Sequence, residues 1–129
     1  MNYWLFAGGI VSVLTAIVHS ALGEVLIFRH LRSKGIVPDL AVPPLPARRT
    51  GILWATWHLA SVFGLAFAAV LFAAATQRFA RPGVNFTLAA VSIANLIASL
   101  LVLLGTRGRH PGWVALLIVS LIAGVASLR

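Results

Sequence analysis

Residues 3–28 read YWLFAGGIVSVLTAIVHSALGEVLIF. The run is long enough to cross a bilayer as a helix, which takes about 20 apolar residues. Inside it lie His19 and Glu24, and Glu24 is the one acidic residue of the chain within an apolar run. A charge placed in hydrocarbon costs about 2.5–3.5 kcal/mol on insertion scales. The segment His19-Ser20-Ala21-Leu22-Gly23-Glu24 therefore needs a reason to be where it is. The run does not read as a signal peptide: it lacks a basic start and an A-x-A-like site before its charges, and it is too long.

The rest of the composition agrees with a membrane class. Of 129 residues 60% are hydrophobic and 9% charged, with a mean hydropathy of +1.01. A soluble surface needs about 25% charged residues. With no cysteine there is no disulfide and no thiolate site. The net charge of +8 belongs to membrane topology rather than nucleic acid, because the Arg and Lys residues cluster at the ends of apolar runs.

Three further runs follow, at 50–77, 84–106 and 112–128. The expected fold is all-α, a single antiparallel four-helix bundle with transmembrane spans over 3–28, 50–77, 84–106 and 112–128. Residues 31–49 hold Pro38, Pro43, Pro44 and Pro46. That density forbids a helix and favours an extended, polyproline-like path. Arg78, Arg81 and Pro82-Gly83 predict a tight turn, and Pro111 suits the first position of the last helix.

Four spans put both termini on one side. The opposite side carries Arg29, Arg32, Lys34, Arg48, Arg49, Arg107 and Arg109, against Arg78, Arg81 and Arg129 on the terminal side. The positive-inside rule makes the proline-rich loop cytoplasmic and both termini periplasmic, in a bacterial inner membrane. The cytoplasmic cations also predict contact with anionic lipids.

The polar residues fall at matched depth. His19 precedes Arg29 by ten positions, His58 follows Arg49 by nine, and Asn95 precedes Arg107 by twelve. At 1.5 Å per residue each is about 14–18 Å from the cytoplasmic end, near the bilayer midplane. Ser120 reaches a similar depth. Antiparallel packing predicts a His19–His58–Asn95 layer able to share a partner: each other, a water, a transition metal or haem b. Ser20 and Glu24 share a second stripe with Gly9, Ser12 and Ala16, a small-residue seam of the kind that lets helices approach in lipid. Glu24 is about 140° around the helix from His19. It is expected either to pair with Arg48 or Arg49 or to carry a proton. Trp54, Trp57, His110 and Trp113 read as interfacial residues.

No H-E-x-x-H, P-loop, G-x-S-x-G or dinucleotide fingerprint is present, and no nucleophile–base pair argues for an enzyme. The combination His19-Ser20-x-Leu22-Gly23-Glu24, Trp57-His58-Leu59 and Arg107-Gly108-Arg109-His110-x-x-Trp113 resembles a group of small, uncharacterised four-span bacterial membrane proteins. That resemblance implies a fold and a residue set but no reaction. A looser similarity is to small multidrug-resistance transporters, whose first span also holds one glutamate, placed deeper in the membrane. Three functions are carried forward. The first is a binding or accessory membrane protein, acting as a homo-oligomer or a subunit of a larger complex. The second is a b-type haem or metal protein ligated by His19 and His58. The third is a proton-coupled small-molecule transporter using Glu24.

Overall fold

The computed structural model describes residues 1–76, 81–105 and 107–128. Among these the chain is all-α. The helices are α1 (Tyr3–Leu26), α2 (Ala47–Ala75), α3 (Arg81–Gly105) and α4 (Gly112–Ser127), with a 3-10 turn over Phe28–Leu31. Arg78, Arg129, and the expected run ends at Gln77 and Thr106 lie outside the described residues.

Three helical stretches, Tyr3–Leu26, Ala47–Ala75 and Gly83–Leu104, are long and apolar enough to cross a membrane. α4 is apolar but has 16 residues. At 1.5 Å per residue it extends about 24 Å, short of a hydrocarbon core of about 30 Å. α2 starts three residues before the expected Thr50. Pro46 explains this, because its carbonyl accepts the Arg49 N–H at 2.9 Å and a proline is tolerated where a helix begins.

The chain divides into two compact units, Met1–Thr15 with Gly64–Arg129, and Ala16–Phe63. The first unit builds its core from all four helices: Leu5, Leu71, Ala75, Leu88, Val91, Val119 and Ala123 are buried together. α3 and α4 run antiparallel and are tied by small polar residues. Ser92 Oγ donates to the Ser120 carbonyl and Ser120 Oγ to the Ser92 carbonyl, each at 2.9 Å. Ser99 Oγ donates to the Trp113 carbonyl at 2.8 Å. This approach depends on Gly124, where a Cβ would lie 2.9 Å from Ser92 Oγ. Intramembrane hydrogen bonds average about 0.6 kcal/mol each, so the seam fixes register more than it adds stability.

The second unit is a helical hairpin closed by an irregular loop. The loop is turned rather than extended. Val42 and Leu45 exchange backbone hydrogen bonds, and the Leu31 carbonyl accepts the N–H groups of Asp39 and Leu40 at 3.0 Å. The prolines remove donors but leave these carbonyls and amides to pair locally. Thr50 anchors the loop to α2, donating to Leu40 O at 3.0 Å and Ala47 O at 2.7 Å.

Asp39 accepts the Ser33 hydroxyl and, at 2.6 Å, the Ser33 backbone N–H. The hydroxyl, then the amide, hold its carboxyl below the ordinary aspartate range. A depressed carboxyl stabilises the fold above its unfolded pKa and loses that contribution as pH falls through the folded value. The Ser33 amide signal is therefore expected to keep its bonded position until pH drops below the usual aspartate midpoint. In Ser33→Ala the midpoint of the Asp39 side chain should move up. Equal midpoints in the two proteins would remove the assignment.

Candidate functional site

The second unit gathers the polar residues of the first span. α1 carries Ser20 and Glu24 four positions apart, on one face. α2 carries Trp54, His58 and Ser61 at spacings of four and three, also one face. These two stripes meet. His58 Nδ1 is 2.8 Å from Ser20 Oγ, and Ser20 Oγ donates to Ser61 Oγ at 2.8 Å. His58 Nε2 faces Glu24 Oε2 at 3.5 Å. Trp54 Nε1 donates to the same carboxylate oxygen at 3.3 Å. Glu24 Oε1 lies against the guanidinium of Arg32. The result is a continuous file, Ser61–Ser20–His58–Glu24–Arg32, in which the side chains of His58, Glu24 and Arg32 are 27%, 34% and 20% exposed.

The carboxylate finds Arg32, not Arg48 or Arg49. The 3-10 turn gives the physical reason. Immediately after α1 it carries the chain back, so that Arg32 returns to a carboxylate two helical turns earlier. Arg48 and Arg49 begin α2 and are exposed.

The helices approach closely because residue 23 is glycine. A Cβ there would lie 2.1 Å from Trp57 Nε1. That indole uses the space to donate to the His19 carbonyl at 2.9 Å and to stack on the His19 ring, with centroids 4.4 Å apart and planes at 6°. Phe28 packs edge-on to Trp57 at 5.7 Å. Gly23→Ala is expected to expel the indole from this groove. The cost should be about 1–3 kcal/mol, the range for overpacking, read as lowered resistance to denaturation and a shifted tryptophan emission. An alanine variant with unchanged emission would show that the contact tolerates a methyl group.

Within the second unit the two expected histidines have different partners. His58 engages Ser20 and Glu24, while His19 engages Trp57. Asn95 belongs to the first unit, where it is 3% exposed and its Nδ2 donates to the Val91 carbonyl of its own helix at 2.9 Å. Depth alone was matched in the sequence, and the angular offset of about 140° between His19 and Glu24 decides which neighbours each meets. Trp54 and Trp57, expected at the interface, are half-buried and turned onto α1 by their indole N–H groups. His110 is exposed and its Nδ1 accepts the Gly112 N–H at 3.1 Å, while Trp113 is half-buried at the start of α4. Among the described residues no group of three or more His, Cys, Asp or Glu side chains is arranged to hold a metal.

Sequence reasoning missed Ser61 and Arg32. Ser61 was in reach as the next α2 position on the His58 face, three residues on. Arg32 had no periodic signal, because it lies beyond the end of the helix.

Compared with known proteins, the chain matches no family model, no curated protein and no solved structure.

Proposed function

We propose that the protein is a small proton-coupled carrier of the bacterial inner membrane, with Glu24 and His58 holding the proton. One observation carries the reading: His58 Nε2 has no hydrogen-bond partner among the described residues yet faces the Glu24 carboxylate at 3.5 Å. When Ser20 gives its hydrogen to Ser61, its oxygen accepts Nδ1–H. A neutral imidazole then points a lone pair at a carboxylate, which is unfavourable. One added proton completes the array, on Nε2 as imidazolium or on Glu24 as a carboxylic acid. Reversing the two serine hydroxyls instead turns Nδ1 into an acceptor and leaves Nε2–H toward Glu24. The file can therefore pass a proton by small reorientations. Arg32 and Trp54 keep Glu24 anchored through the cycle. Intramembrane ionisable residues that pair with one another mark such pathways.

Haem ligation through His58 Nε2 would need it to leave Glu24, and His19, the other expected ligand, is stacked on Trp57, so the geometry favours the proton. In this reading all four helices cross the membrane, α4 with local thinning of the bilayer. The basic loop is cytoplasmic and both termini are periplasmic, as the distribution of Arg and Lys favours. A reporter fused after the last helix should be active in the periplasm, and cytoplasmic activity would reverse the orientation.

The function is tested with protons as the probe. Chain reconstituted in vesicles holding a pH dye is driven by a potassium diffusion potential. Proton entry above that of protein-free vesicles is expected. Entry equal to protein-free vesicles sinks the reading.

A further inference from the structure

We propose that the other side of the α1–α2 hairpin is a binding site for an anionic phospholipid, its acyl chain in a cleft beside His19 and Trp57 and its phosphate on Arg49. The cleft has a volume of about 390 Å³ and lies within the second unit. Its walls include Ile27, Phe28, Leu31, Leu53, Trp57 and Ala60. Its two threonines offer no free donor. Thr50 donates to the Leu40 and Ala47 carbonyls, and Thr56 donates to the carbonyls of Ile52 and Leu53. The interior therefore selects a hydrocarbon chain over a polar cargo, because a polar group there would lose its hydrogen bonds to water without replacement.

The mouth has the opposite character. Arg49, Leu53, Thr56 and Ala60 follow the spacing i, i+4, i+7, i+11 and so share one face of α2. Arg49 stands one turn above the first cleft residue of that row and is exposed. Arg29, between the cleft residues Phe28 and Leu31, is exposed as well, but its Nε donates to His30 Nε2 at 3.1 Å, which leaves Arg49 as the phosphate contact. Neither is taken by an ion pair among the described residues. The two acids do not offset them, since Glu24 is held by Arg32 and Asp39 by Ser33. An apolar cleft ending at uncompensated guanidinium groups, on a helix that crosses the bilayer, is complementary to one molecule with a hydrocarbon tail and an anionic head. The site does not depend on the proton reading, whose residues lie on the Ser20–Glu24 face of α1.

Trp57 in the cleft wall supplies the readout. The full chain is placed in vesicles of mixed phosphatidylcholine and phosphatidylglycerol, with the acyl chains of one lipid brominated at a time, and tryptophan quenching is compared with that of Trp57→Phe. Brominated phosphatidylglycerol is expected to be preferred about fivefold, the increment one guanidinium provides at an anionic lipid. Arg49→Gln should remove the preference, and Ala60→Phe, which fills the cleft from an exposed position, should reduce quenching by both lipids. Glu24→Gln should leave the preference intact, which separates this site from the proton pair. Equal quenching by the two lipids in the unaltered chain overturns the proposal. A preference that survives Arg49→Gln, or quenching that survives Ala60→Phe, does the same.

Discussion

Glu24→Gln is expected to bring proton entry into vesicles down to the level of protein-free bilayers while the hairpin stays folded. Glutamine keeps the shape of the side chain and an oxygen able to accept from Trp54 Nε1, now 3.3 Å from Oε2. It also leaves Gly23, Trp57 and their close contact untouched. What it removes is the carboxylate facing His58 Nε2 at 3.5 Å. Without it the imidazole has no anionic partner in the file, and no group beyond it can take the proton toward Arg32. His58→Gln should act similarly, because it cuts the same file between Ser20 and Glu24. Ser61→Ala is expected to slow entry rather than stop it, since it shortens the hydroxyl chain without touching the pair. The decisive comparison is Glu24→Gln against the unaltered chain at matched protein density. Retained proton entry in Glu24→Gln, with tryptophan emission unchanged, would mean that the carboxylate serves only to anchor Trp54 and Arg32.

How much of this was legible in advance depended on whether the information was periodic. The long apolar runs and the small-residue stripe through Ser12, Ala16 and Ser20 follow from helical spacing, and the helices formed there. Ser12, expected on that seam, is 5% exposed and donates to the Gly64 carbonyl at 2.9 Å within the first unit. Glu24 was legible as an anomaly because its charge stands alone among apolar residues. Its partners were not. Depth arithmetic puts His19 and His58 at one level, but a helix places residues by angle as well as by height, and five positions turn Glu24 well away from His19. Trp54 and Trp57 near a span end look like belt residues, because an indole is amphipathic wherever it is found. Only the packing shows that each N–H points at α1. Gly23 reads as merely small, whereas its function is to let an indole lie on the backbone. Arg32 is the extreme case: its meeting with Glu24 is made by a 3-10 turn of four residues, which carries no hydrophobic period to detect.

Arg32→Ala is expected to destabilise the hairpin by about 1 kcal/mol, the upper end for an ion pair that is not fully buried. Breaking a buried pair by removing one partner costs about 3–5 kcal/mol because the remaining charge is uncompensated. The effect here is smaller, since the Glu24 side chain retains 34% of its exposure and lies at the end of its span. His58 offers partial relief, since its Nε2 faces the same carboxylate at 3.5 Å. The sign of the double change distinguishes this account from simple loss of packing. If the cost is the orphaned carboxylate, Glu24→Ala in the Arg32→Ala background should restore part of the lost stability, although it deletes a second side chain. If Arg32 acts only by covering apolar surface with its methylene stem, the second deletion should add to the first. Unfolding in mixed micelles with increasing denaturing detergent, run on both single variants and the double, measures the coupling directly. Additive losses across the four proteins would take Arg32 out of the proton file and leave Glu24 anchored by Trp54 and His58 alone.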